Sequence, residues 1–273
     1  MNTAQQAGRE AKAATQRATR SRPMAVLTRV GLACRGVLYA LIGVLALQIG
    51  LGQGSGGQAD KSGAITTLAE LPFGEVLLWI MVAGFVALAI WQATEALFGV
   101  AKVKDRVEAA ARTVVYVLVV GTLWSVITSG QAGSDDQKSQ DVTGKLLDLP
   151  GGDWIVGAIG LGLVALGVYW VHRGVTKGFR EELDQGRMSP KARMVMDRLG
   201  VGGYAARGAI AGMAGIFVVY AAITHDPDKA GGIDSALRQF ADTPAGPWLL
   251  VVVALGLLLF AGYCFGESRW RRT

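Results

Sequence analysis

Six stretches without any charged residue restrict the fold of this chain more than any other feature. They lie at 36–59, 76–94, 113–134, 154–172, 208–225 and 243–266. Each contains an apolar run of about 16 to 20 residues, and a helix needs about 20 such residues to cross the hydrocarbon core of a bilayer. Buried helices of a soluble protein are the alternative, but six of them without an amphipathic partner would be unusual. We therefore predict an all-α polytopic membrane protein with six transmembrane helices.

The composition agrees with this prediction. Charged residues make up 18% of the 273 residues and hydrophobic ones 51%, whereas a soluble domain is about 25% charged. The 38 glycines also fit, because glycine is more frequent in membrane helices than in soluble ones.

The distribution of charge predicts the orientation. Six spans place both termini on one side of the membrane. That side receives 22 of the 27 Lys and Arg residues, whereas 12 of the 21 Asp and Glu residues fall on the other side. The positive-inside rule then predicts a protein of the plasma (inner) membrane with both termini in the cytoplasm. No stacking aromatic residues or binding motif accompany the basic residues, so a nucleic-acid partner is not expected.

The first 25 residues form a basic and polar tail without a signal-peptide cleavage site. One interpretation is a poorly ordered segment in water. The alternative is an electrostatic tether to anionic lipid, to which each Lys or Arg near the surface contributes about 1 kcal/mol.

A set of landmarks recurs three times along the chain. Each copy has an arginine, a proline 37 or 38 residues later, an aromatic residue 19 positions after the proline, and a charged residue 4 positions further on. In chain order the copies are Arg35, Pro72, Trp91 and Glu95; Arg112, Pro150, Tyr169 and Arg173; and Arg207, Pro244, Tyr263 and Glu267. A unit of helix, outer loop and helix returns to its starting side. Its copies are then related by an axis along the membrane normal, which predicts a pseudo-threefold arrangement.

These landmarks predict the domain organisation. A basic tail (1–25) precedes repeat 1 (26–99) and repeat 2 (100–173), each with two transmembrane helices. A cytoplasmic linker (174–200) follows, and repeat 3 (201–273) ends in a basic C-terminus. Within the linker, "SPKARMVMDRLG" predicts an interfacial amphipathic helix, with a partner-binding helix as the alternative.

Three features together resemble a known family. They are the arginine ahead of each apolar run, the passage "GAITTLAELPFGEVLLW" (63–79), and the threefold recurrence. They resemble the bacterial, mainly actinobacterial, family called domain of unknown function 1206. The second repeat departs from the pattern with "GDWIVG" and Arg173, and the third lacks a tyrosine at position 211. The resemblance implies an integral membrane protein of repeated two-helix modules and brings no established activity.

The recurring charged residues predict structural ion pairs at the inner interface. From Pro72 to Glu95 a helix rises about 34 Å, which carries Glu95 to the depth at which Arg35 enters. Arg207 and Glu267 repeat the arrangement, and arginine–carboxylate pairs satisfy both charges. The sequence leaves open whether Arg35 meets Glu95 or Glu267.

The second repeat offers two arginines, Arg112 and Arg173, where the others offer an arginine and a glutamate. Two such cations without a matching carboxylate predict a site for a lipid headgroup or another anion. The alternative is that both side chains extend to the headgroups as ordinary interfacial residues.

Three classes of function are alternatives for such a chain: an enzyme, a channel or transporter, and a non-catalytic membrane module. No Ser-His-Asp set, HExxH motif or Cys/His cluster is visible, so neither an enzyme nor a metal or cofactor site is expected. A channel or transporter along the pseudo-threefold axis would need Gln48 and Ser125 to face inward together. The favoured function is a non-catalytic module that binds membrane lipid, with anionic lipid as one candidate, or organises a membrane-protein partner.

Overall fold

The computed structural model describes residues 22–52, 61–98, 103–130, 135–230 and 246–271. Eight α-helices occupy most of these ranges: α1 (Arg22–Gly50), α2 (Lys61–Ala69), α3 (Gly74–Phe98), α4 (Val103–Ser129), α5 (Asp135–Leu147), α6 (Gly152–Val175), α7 (Pro190–Thr224) and α8 (Gly246–Trp270). All but α2 and α5 are long and apolar enough to cross a membrane. The prediction of an all-α protein with six spans is thus confirmed. Residues 1–21 of the predicted tail and Pro244 lie outside the described residues.

Two segments predicted as outer loops contain short helices, α2 and α5. The helix α2 is buried on one side through Ser62, Ala64, Ile65 and Leu68. The sequence does not indicate this helix, because the residues before it are rich in Gly and Ser. Both helices lead into a second transmembrane helix through a turn at equivalent positions, Phe73 (φ 65°) and Gly151 (φ 77°).

The six long helices form a ring. In each repeat the first helix is α1, α4 or α7, and the second is α3, α6 or α8. Each second helix packs against the first helix of the next repeat: α3 against α4, α6 against α7, and α8 against α1. Because the last contact joins repeat 3 to repeat 1, the three repeats follow one another in cyclic order, as the predicted pseudo-threefold arrangement requires.

Close glycine contacts hold several of these interfaces. A Cβ atom on Gly160 would lie 2.7 Å from Val219 Cγ2, and one on Gly208 would lie 2.5 Å from the carbonyl oxygen of Gly167. Both contacts join α6 to α7. Small residues allow such backbone approach, which drives helix association in lipid.

The second repeat differs from the other two in one respect. The two helices of repeat 1 (α1 and α3) and of repeat 3 (α7 and α8) pack against each other, whereas α4 and α6 do not pack along their lengths within the described ranges. Glycines at the same position of the three repeats show this difference in packing. Gly84 approaches α1 and Gly256 approaches α7, but no atom would lie within 4 Å of a Cβ on Gly162. A lateral cleft therefore separates α4 from α6, and we call it the α4–α6 cleft.

Apolar side chains fill the centre of the bundle. One core cluster combines residues of all three first helices with Phe85, Leu88 and Leu257 from the second helices. The contributions of the first helices include Leu38, Ile42, Val119, Leu123 and Ile210. Each of these side chains is buried.

The linker between repeats 2 and 3 folds back onto the bundle. It forms two short 3₁₀ helices, Gly178–Glu182 and Gln185–Arg187. Phe179 is fully buried against the rings of Tyr204 and Tyr263, at centroid distances of 5.6 and 5.3 Å. The segment predicted as an interfacial amphipathic helix forms the first three turns of α7. This 35-residue helix is about 52 Å long, whereas the hydrocarbon core is about 30 Å thick.

Candidate functional site

The predicted arginines meet at one end of the bundle, where α1, α4 and α7 begin and α3, α6 and α8 end. We call it the basic end. There Arg35 Nη2 donates to Glu267 Oε2 at 2.7 Å, Nη1 donates to Tyr116 Oη at 3.1 Å, and Nε donates to Cys264 Sγ at 3.3 Å. Glu267 is fully buried. The structure thus pairs Arg35 with Glu267 of repeat 3 and not with Glu95, which is exposed.

The expected pairing of Arg207 with Glu267 is wrong. Aromatic rings surround the Arg207 guanidinium, with the Trp170 and Phe260 centroids 4.1 and 4.5 Å from Cζ. The rings of Tyr39 and Tyr204 lie 5.4 and 5.9 Å away. The physical reason is the cyclic order of the helices. Glu267 lies on the side of α8 that faces Arg35 of α1, whereas the side of α8 that faces Arg207 carries the aromatic ring of Phe260.

Two of the three equivalent arginines, Arg35 and Arg207, contact residues at the same positions of the neighbouring repeats. Each of Arg35 and Arg207 reaches the tyrosine four positions after the arginine of the next repeat, Tyr116 and Tyr39 respectively. Each also contacts the residue 20 positions after the proline of the preceding repeat, which is Cys264 for Arg35 and Trp170 for Arg207. For Arg112 these two positions hold Ala211 and Gln92. The environment of Arg112 therefore differs most from the other two.

The expectation that Arg112 and Arg173 lack matching carboxylates is also wrong. Glu108 Oε1 accepts from both arginines, and its contact to Arg173 Nη1 measures 2.5 Å. Glu182 Oε1 accepts from Arg112 Nη2 at 2.9 Å and from Arg173 Nη2 at 2.5 Å. Tyr169 adds a hydroxyl that donates to Glu108 Oε2 at 3.2 Å. These two arginines are thus charge-compensated, so an anion is not the ligand that the charge balance favours.

Glu182 of the linker connects the whole cluster. Besides Arg112 and Arg173 it faces Arg271, whose Nη1 lies 3.4 Å from Glu182 Oε2. Arg271 also bonds Glu267, the partner of Arg35. Burial alone would raise the pKa of Glu182, but the three guanidinium groups outweigh it and hold the pKa well below its usual range. The carboxylate therefore stays ionised and joins the two ion-pair groups into one network.

A polar cavity of about 420 Å³ lies beside this network, at the basic end of the α4–α6 cleft. Its walls come from α3, α4, α6, the linker and the C-terminus. Its charged lining residues are Glu95, Glu108, Arg112, Arg173, Glu181, Glu182 and Arg271. Glutamates outnumber arginines by one. Glu95 and Glu181 are exposed, and no cation within the described ranges lies within ion-pair distance of either.

The two residues predicted to face a pore, Gln48 and Ser125, are both half-buried. They lie on α1 and α4, which do not pack along their lengths in the part of the chain that is described. The apolar core cluster includes residues of both helices.

Sequence reasoning missed Glu108, Glu182 and Arg271. Glu108 could have been found by comparing the repeats. Its equivalents are Gly31 and Gly203, and the same repeat exchanges a glutamate for Arg173. A new acid and a new base in one repeat indicate a compensating pair. Glu182 gave no such signal, because the linker has no counterpart in the other repeats.

The fold and the charged network define a class: a polytopic all-α membrane protein built from three helical hairpins around a pseudo-threefold axis. Residues 30–99, 107–177 and 202–271 each match the family model described as Domain of Unknown Function (DUF1206), and the chain belongs to this family. The three matches confirm the predicted resemblance and the three tandem repeats.

A relative extends over most of the chain. It is an uncharacterized protein of Bacillus subtilis (strain 168) named YxxB, 29% identical over 243 residues, which are 86% of this chain and 86% of the relative. The bacterial source of this relative is consistent with the predicted bacterial family. No solved structure gives a significant match.

Proposed function

We propose that this protein is a non-catalytic membrane module that binds one phospholipid in the α4–α6 cleft. One observation carries the proposal: the only repeat whose two helices fail to pack within the described ranges has a polar cavity at the basic end of the resulting gap. An acyl chain would lie between α4 and α6, and the headgroup would occupy the cavity. Binding sites of this kind are commonly between helices, and 420 Å³ lies within the usual range of about 300–1,000 Å³.

The proposal places the basic end at the cytoplasmic face of the plasma membrane, so that the bound lipid comes from the inner leaflet. The excess of Lys and Arg on the side of the termini supports this orientation. Protease added outside intact cells should leave a tag at the C-terminus uncut. Digestion of that tag would contradict the orientation.

We do not propose a pore along the pseudo-threefold axis, because buried apolar side chains of α1, α4 and α7 occupy the centre. A partner helix in the same cleft would also cover its apolar walls. A helix brings no polar headgroup for the cavity, and for this reason we favour lipid.

The test compares lipid retained by purified variants. Gly162→Leu should extend a side chain into the cleft, since nothing lies within 4 Å of a Cβ there. Gly121→Leu is a matched control on α4, at a position equally open and about 180° around the helix from Arg112. Native mass spectrometry in mild detergent should show lipid bound to the wild type and to Gly121→Leu, and several-fold less bound to Gly162→Leu. Equal lipid retention by both variants would contradict the proposal.

A further inference from the structure

We infer that the cavity at the basic end selects a phospholipid whose headgroup carries a primary ammonium, the phosphoethanolamine class. This inference rests on the proposed function and names the ligand of the same site. It starts from the charges of the cavity wall, where four glutamates face three arginines.

The arginines already have carboxylate partners. Arg112 and Arg173 share Glu108 and Glu182, and Arg271 bonds Glu182 and Glu267. Arg271 also stacks over Trp91, with its Cζ 4.4 Å from the ring centroid. A headgroup with only negative charge would compete with these carboxylates and would enter a wall that already carries an excess of acid.

Two carboxylates of the wall are available for a cation. Glu95, at the end of α3, and Glu181, in the linker, both line the cavity and are both exposed. Neither lies within ion-pair distance of a cation in the described ranges. An ammonium group with three N–H donors matches carboxylates better than a quaternary ammonium, which has no N–H donor.

The phosphate of the same headgroup has a place as well. Arg112 is the most exposed of the three arginines, with 24% of its side chain accessible against 10% for Arg173 and 7% for Arg271. Its bonds to Glu108 and Glu182 use Nη2. Since a guanidinium has five N–H donors, Nε and Nη1 of Arg112 can donate to a phosphate while Nη2 keeps its partners.

The apolar surface of α4 and α6 beside the cavity favours a lipid over a soluble phosphoethanolamine ester. Large apolar side chains are exposed on both helices beside the cavity, for example Val115 and Leu118 of α4 and Ile159 and Val168 of α6. A soluble ester would use the cavity alone, whereas a lipid also buries its chains against these helices.

The experiment is a competition between lipids for the full-length protein. Delipidated protein is incubated with equal amounts of phosphatidylethanolamine, phosphatidylcholine and phosphatidylglycerol of identical acyl chains, and the bound lipid is identified by native mass spectrometry. We expect phosphatidylethanolamine to be enriched about threefold over each of the others, the size typical of a partly exposed ion pair. Soluble phosphoethanolamine at the same concentration should not displace it.

Matched variants assign the preference to its residues. Glu95→Gln combined with Glu181→Gln should remove the enrichment and keep the total amount of bound lipid. Glu70→Gln combined with Glu75→Gln changes the same charge at two exposed residues of the opposite end and should keep the enrichment.

The outcomes separate the two proposals. Lipid binding with a preference for phosphatidylglycerol, or a preference that survives in the Glu95 and Glu181 variant, would overturn the inference and leave the proposed function in place. Displacement by soluble phosphoethanolamine would overturn the lipid as the source of this headgroup. Absence of any bound lipid would overturn the proposed function itself.

Discussion

Arg35 connects three helices at the basic end, and its removal should weaken the bundle. It donates to Glu267 and Cys264 of α8 and to Tyr116 of α4. Breaking a buried ion pair costs about 3–5 kcal/mol, and we expect Arg35→Ala to fall near the lower end because Arg271 still bonds Glu267. Thermal unfolding in detergent measures the change. The control is Arg193→Ala, at an exposed position of α7. Equal unfolding temperatures for both variants would show that the ion pair of Arg35 does not stabilise the bundle.

Glu182 should make the stability of the protein depend on pH in the acidic range. Its pKa in the folded protein is well below its usual range, whereas an unfolded glutamate has a pKa of about 4.3. The folded state is therefore stabilised fully above the unfolded value, and this contribution is lost as the pH falls below about 4 toward the lowered folded value. Unfolding temperatures measured over this range should fall for the wild type.

The Glu182 prediction has a neighbouring control. Glu182→Gln should be less stable than the wild type at neutral pH, and its stability should change less below pH of about 4. Glu181→Gln, at the adjacent exposed residue, should follow the wild-type curve. If Glu182→Gln and the wild type lose stability in parallel on acidification, other carboxylates carry the dependence.

At the level of single residues, the sequence predicted which arginines lie at the basic end but not which side chains they contact. The recurrence of Arg35, Arg112 and Arg207 is visible in the sequence because each directly precedes an apolar stretch at the same position of its repeat. Their partners depend on which helices are neighbours in the ring. That order is a tertiary property, so the sequence could not choose between Glu95 and Glu267 for Arg35.

Among the helices, α4 and α6 differ from their equivalents because of Glu108. The equivalent positions in the other repeats hold Gly31 and Gly203, which approach Gly84 and Phe260 of the partner helix. A Cβ on Gly31 would lie 2.4 Å from the carbonyl oxygen of Gly84. A glutamate in such a contact would force the helices apart. The same residue that compensates Arg112 and Arg173 thus opens the cleft in which we place the lipid.

The interface between α6 and α7 should be sensitive to a single methyl group. Gly160→Ala would place a Cβ 2.8 Å from the backbone nitrogen of Val219 and 2.9 Å from the carbonyl oxygen of Gly215, an overpacking that typically costs about 1–3 kcal/mol. Gly162→Ala is the control, since it makes the same change on the same helix where nothing lies within 4 Å. Thermal unfolding should therefore rank Gly160→Ala below Gly162→Ala. The reverse order would mean that α6 and α7 do not approach this closely.

For the whole molecule, the cyclic contact of α8 with α1 makes the starting point of the chain arbitrary. The sequence predicted three hairpins around an axis because each hairpin returns to one side. The sequence could not predict that the closest helix contacts lie between repeats. The composition of an apolar stretch does not indicate which other helix packs against it. The inserted linker departs from the symmetry. It supplies Glu182 to the ion-pair network and Phe179 to the rings of Tyr204 and Tyr263.

A circular permutant tests this architecture. The chain would begin at Val103, continue from Thr273 directly into Met1, and end at Phe98. Since α1 and α8 pack together with Arg22 and Trp270 both at the basic end, we expect the same ring and nearly the wild-type unfolding temperature in detergent. A second permutant, opened between Asp184 and Gln185, frees the segment that holds Phe179 and Glu182 from its covalent connection to α7. It should unfold at a lower temperature. If the first permutant aggregated while the second folded, the order of the hairpins would not be interchangeable, and the closure of repeat 3 onto repeat 1 would be wrong.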